Sequence, residues 1–79
     1  MTTYTVYGDV NHDNKTVNLR IMPDTEFMKL YGDCFTNGYW VGTKTPFILW
    51  FMKCSFDDAI LRKKQLEQQY LRTRYSVQA

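Results

Sequence analysis

The sequence predicts an α+β domain: about five short antiparallel strands in a small sheet, a short helix after the first hairpin and a long C-terminal helix packed on the sheet. Three observations carry that expectation. Residues 3–22 alternate apolar and polar side chains on either side of a turn-forming cluster. Asn37-Gly38 separates two short β-prone runs. At Ser55 an unbroken apolar run gives way to a long polar segment that lacks Gly and Pro. Period-two patterning marks half-buried strands, and a Ser followed by acidic residues marks a helix start.

In the first strand, Tyr4, Val6 and Val10 fall on one side and Thr3, Thr5 and Tyr7 on the other, with Gly8 read as a bulge. Asn11-His12-Asp13-Asn14 is a turn, because short polar side chains bond their own backbone. From Lys15 to Met22 the chain alternates again, with Val17, Leu19 and Ile21 inward. These segments form an antiparallel hairpin.

Pro23-Asp24-Thr25-Glu26 then opens a short helix with Phe27, Met28, Leu30 and Tyr31 at helical spacing, Asp24 as cap and Gly32 as stop; the competing reading is a strand with Phe27, Lys29 and Tyr31 on one face. Asn37-Gly38 suits a type I′ turn, which needs positive φ at both central residues. Residues 42–46 are a further turn region. Phe47 to Lys53 is the last strand. Being apolar on both faces, it is expected at the centre of the sheet. The final helix starts from the Ser55 cap, places Asp57 and Asp58 in its first turn and runs to about Tyr75.

With 79 residues the chain makes a single domain, 1–79. A chain of that size buries only about 60% of its unfolded surface. Six Tyr, five Phe and two Trp supply large buried area per side chain, with aromatic surface left over for binding. Up to Leu61 five cations stand against seven carboxylates, a balance of −2; from Arg62 on, five cations stand against one carboxylate, a balance of +4. The body is mildly acidic and the final helix basic.

Met1-Thr2-Thr3-Tyr4 lacks the basic start and apolar run of a signal peptide. The longest apolar run, Phe47 to Met52, is far short of the roughly 20 residues that cross a bilayer. A cytoplasmic protein without membrane contact is therefore expected. Cys34 and Cys54 fit no metal or redox spacing and read as small buried hydrophobes.

Candidate chemistry is sparse. Asp9, Asn11 and Asp13 begin like a calcium loop, but Asn14 stands where the sharp turn wants Gly and Arg20 where the bidentate Glu belongs. His12 is the single histidine, with no ligand at metal spacing. No nucleophile–base pair is indicated. The expectation is a non-enzyme with no catalytic residues, no metal and no cofactor.

Binding is the class left. Along the final helix Tyr70, Arg72, Arg74 and Tyr75 alternate aromatic and cationic groups, with Arg62, Lys63 and Lys64 before them. Tyr39 and Trp40 add strand aromatics. Such groups make hot spots at protein interfaces, so the leading expectation is a protein-binding inhibitor or modulator. Its size and style match proteins of phages and other mobile elements. The alternative is a nucleic-acid binder that uses the basic helix and the sheet aromatics Tyr7, Tyr39 and Trp40. A homodimer through the helix or a sheet edge is a further expectation.

Overall fold

The computed structural model describes residues 1–41 and 45–78. The elements run β1 (Tyr4–Asn11), β2 (Thr16–Pro23), α1 (Asp24–Tyr31), a 3-10 turn (Gly32–Cys34), β3 (Phe35–Thr36), β4 (Tyr39–Trp40), β5 (Ile48–Cys54), α2 (Phe56–Arg72) and β6 (Ser76–Val77). The α+β class and both helices are as expected. The turn predicted over 42–46 lies partly outside the described residues.

One sheet has the order β5-β1-β2-β6, and β3-β4 stands apart as a two-stranded ribbon. β1 and β2 pair without interruption from Tyr4↔Pro23 to Asn11↔Thr16. Their turn is held by Asn11, whose Oδ1 accepts from the backbone N–H groups of Asp13 and Asn14, each at 3.0 Å. Gly8 is not a bulge. It lies in regular register with β2, and a Cβ there would run into the Asn18 carbonyl oxygen, so the position needs hydrogen for close approach.

β5 corrects a second expectation: among the described residues it is an edge strand, paired with β1 alone in the sheet. Its apolar run is only partly covered: Ile48 is exposed, Leu49 to Met52 are half-buried and Cys54 is buried. Two register shifts, between Tyr4 and Val6 and between Val6 and Tyr7, interrupt its ladder with β1. The consecutive residues Trp50 and Phe51 consequently both reach α2, the first against Tyr70 and the second beneath Arg62. A regular strand would aim them to opposite faces.

Each face of the sheet has its own cover. On one, Val6, Cys54 and Ala59 are buried together, with Tyr4, Ile21, Phe51 and Leu66 packed around them. α2 lies here, and Ala59, fully buried, lets it approach closely. The helix begins as predicted, with Ser55 Oγ accepting from Asp58 N–H at 3.2 Å. On the other face α1 and the β3-β4 ribbon gather around Tyr7, which is only 5% exposed. The idea of Tyr7 as an exposed stacking residue is thereby overturned.

α2 stops at Arg72, not near Tyr75. Arg74 takes φ +67, its N–H donates to the Leu71 carbonyl, and Tyr75 N–H donates back to the Tyr70 carbonyl at 2.9 Å. This is a Schellman closure with Arg where Gly is usual, sealed by the Tyr70–Tyr75 ring contact. The turn sends the chain into β6, which pairs in parallel with β2 through Ser76 N–H to Lys15 O and Gln78 N–H to Val17 O.

Candidate functional site

The face opposite α2 is built on Phe27. The fully buried ring of Phe27 meets Tyr31 at 5.1 Å, Tyr7 at 5.5 Å, Trp40 at 5.6 Å and Phe47 at 5.9 Å between centroids. Trp40 also packs edge-on against Phe35, its cross-strand partner in the ribbon. Of the two strand aromatics expected at a binding surface, Trp40 is thus anchored in this cluster. Tyr39 projects outward, 77% exposed, beside a turn in which Asn37 and Gly38 have φ of 51° and 80°. Positive φ at both positions is what the Asn-Gly pair predicted.

Next to that turn lies a groove of about 540 Å³ lined by Asp24, Met28, Phe35, Gly38, Met52 and Lys53. Sequence reasoning did not select these residues. They come from α1, the ribbon and β5, and no periodicity links such distant segments.

Asp24 does not cap α1, whose N-cap is Pro23. Its carboxylate instead accepts from the Thr3 and Thr5 hydroxyls and from Lys53 N–H. Those bonds hold Lys53 at φ +59 and occupy the carboxylate, so the groove is left with apolar walls of Met and Phe. Thioether side chains adapt readily to an incoming partner.

The cationic candidates on α2 divide into two groups. Arg62 Nε bonds Asp58 at 3.2 Å while its guanidinium stacks 4.5 Å from the Phe51 ring centre. Lys63 pairs with Glu67 at 3.3 Å, its stem lying along the sheet-facing side. Lys64, Arg72 and Arg74 are exposed and make no ion pair among the described residues.

Tyr70 and Tyr75 are turned inward from this exposed group. Tyr70 packs on Trp50 and Tyr75, and burial pushes its phenol above the ordinary range, helped by Tyr75. Tyr75 Oη lies 2.7 Å from His12 Nδ1 in the first hairpin. The segment Gln68 to Tyr75 therefore does not project as one surface; its aromatics brace the sheet and its arginines face solvent.

Both cysteines are free and buried. Burial pushes the Cys54 thiol up; Arg62 opposes this, and Asp58 and Asp24 add to it. A thiol so placed stays protonated and unreactive. The polar cleft of about 600 Å³ around Asp9, His12 and Asp13 gathers no set of three metal-ligating side chains among the described residues. Among the described residues no helix is long and apolar enough to cross a membrane. Comparison with protein families, characterised proteins and solved structures finds no match to this chain.

Proposed function

We propose that this is a non-enzymatic protein-binding module that docks on a larger protein and modulates or blocks it. The observation that carries the reading is the apolar groove of Met28, Phe35 and Met52, which the ribbon turn enters at Gly38, with the exposed Tyr39 next to Gly38 in the chain. A rigid aromatic cluster lies behind the ribbon, so Tyr39 and the groove are presented without much further loss of freedom on binding. An exposed Tyr on the same ribbon as an adaptable apolar pocket gives a surface with the residue types of an interface centre. Lys53 at the rim suits a partner that brings an apolar anchor flanked by a carboxylate. The size and aromatic build fit an inhibitor of the phage or mobile-element type, acting in the cytoplasm, where two free cysteines remain reduced.

Photo-crosslinking tests the reading. A photoreactive residue placed at Tyr39 should yield one discrete adduct with a host protein, and Met52→Lys should abolish it. The same probe at Asn18 serves as control. Against the isolated partner, Tyr39→Ala should cost at least about 2 kcal/mol of binding. Equal adducts from both positions, or an adduct indifferent to Met52→Lys, would remove the groove from consideration.

A second reading, nucleic-acid binding, draws support from Lys64, Arg72 and Arg74, which are exposed and outside every ion pair among the described residues. It loses the stacking platform, because Tyr7 is buried and Trp40 is packed among other rings.

A further inference from the structure

We infer that the solvent face of α2 is a seam for a second copy of this chain, joined to it antiparallel across a two-fold axis. The seam is separate from the groove and goes beyond the function proposed above. Asp57, Leu61, Lys64, Gln68 and Leu71 follow one another at intervals of four, three, four and three residues. That spacing draws a single stripe along a helix, the pattern of a helix–helix seam. All five are exposed, with Leu61 at 53% and Leu71 at 50%. The stripe lies on the side of α2 away from Ala59, so the fold itself does not use it.

The occupant is indicated by self-complementarity. Leu61 and Leu71 stand ten residues apart, about 15 Å along the axis. When two copies run antiparallel about the level of Leu66, Leu61 of each faces Leu71 of the other. Lys64 then faces Gln68, and the polar pair sets the register at the centre. The same alignment brings the acidic first turn, Asp57 and Asp58, toward the basic last turn at Arg72 of the other copy. Each charge contact occurs twice by symmetry, and the two helix dipoles oppose. A parallel pairing would place like charges together at both ends. The competing seam, the open edge of β5, belongs to a strand whose ladder is interrupted by two register shifts, and it offers no regular template.

A nucleic acid would use Lys64 and Arg72 but would leave the two half-exposed leucines and Asp57 unexplained. One 17-residue helix pair is a small interface, so the dimer should be weak, with a dissociation constant on the order of 100 μM.

Sedimentation across a concentration series is the test. The expected result is a mass of 9.4 kDa in dilute solution that rises toward twice that value as concentration passes the dissociation constant. Leu61→Glu with Leu71→Glu should keep the chain monomeric throughout while leaving its circular dichroism unchanged, since both side chains are half exposed. Asp57→Arg and Arg72→Asp should each weaken the dimer at least about five-fold. The two changes together should restore it, because the exchanged charges would again meet as opposites across the seam. Neither a folding defect nor loss of a phosphate contact predicts such a rescue. A monomer at every concentration, or a dimer indifferent to the leucine changes, overturns the proposal. Salt-steep binding to labelled DNA that Arg72→Asp abolishes in a monomeric protein would assign the face to nucleic acid instead.

Discussion

The two faces of the sheet are covered by opposite means, though β1 supplies both. Val6 points to α2 and is buried with Ala59 and Cys54, with Tyr4, Ile21, Phe51 and Leu66 packed around them. Thr5 and Tyr7 point the other way, where Tyr7 meets large rings. α2 is 17 residues long with a side-chain cap at its start and a Schellman turn at its end. Its own termini stabilise it. α1 has eight residues and no side-chain cap, and the β3-β4 ribbon has two residues per strand. Elements that short are marginal alone, so they depend on ring contacts converging on Phe27. The difference lies in dependence: the short elements converge on one buried ring, Phe27, whereas α2 is held by its own caps and by a mixed set of small and large side chains.

The strongest way to break this contrast is Phe27→Ala, which should cost about 3–5 kcal/mol by leaving a cavity where four rings meet. Urea unfolding gives the loss. Trp40 and Trp50 stand on opposite faces, so fluorescence with one replaced by Phe reads each face separately. The Trp40 signal should loosen first; equal loosening on both faces would remove the contrast. Gly8→Ala should cost about 3 kcal/mol, because the added methyl meets the Asn18 backbone, which has no flexible end to move aside. It should disturb both Trp signals together, since β1 belongs to both faces.

The two ends of α2 sharpen the comparison. Ser55→Ala should lower stability by about 1 kcal/mol through loss of the Asp58 N–H bond. Arg74→Gly should raise it by about 0.5–1 kcal/mol, since Gly takes the left-handed conformation without strain. Urea midpoints should move in opposite directions.

The smallest effect is alkaline and confined to one side. Cys54 is buried beneath α2 and Tyr70 belongs to that helix, and both have pKa values raised by burial. The folded chain holds protons there that the unfolded chain releases. This contribution to stability is complete below the ordinary thiol value of 9.0 and is lost as pH rises beyond it. Trp50 should report loosening before Trp40 in an alkaline titration. Cys54→Ala with Tyr70→Phe should flatten that difference.

The elements legible in the sequence were those whose signals are local. Alternation placed β1 and β2, Asn37-Gly38 placed the ribbon turn, and Ser55 placed the start of α2. The position of β5 differs from the expectation because an apolar run carries no information about hydrogen-bonded neighbours. The end of α2 was overrun because Arg74 occupies the left-handed position without the Gly that usually announces it. β6 is two residues long and is defined by a partner some 60 positions earlier. Of the candidate surface residues, Tyr39, Lys64, Arg72 and Arg74 are exposed as the pattern suggested, whereas Trp40, Tyr70 and Tyr75 serve packing. The groove was invisible because Met28, Phe35 and Met52 meet only through tertiary structure.

The placement of β1 between β2 and β5 also orders events during synthesis. Once β2 has left the ribosome, the first hairpin can close over a four-residue turn. α1 and the ribbon follow next in the chain and can begin to cover Tyr7 and Phe27. Val6, on the other side of the same strand, waits for Cys54 and Ala59, the residues that complete its core. A nascent chain halted before Ser55 would therefore carry one face already sheltered and one bare, and a chaperone that holds exposed aliphatic strands would find its substrate on that side alone.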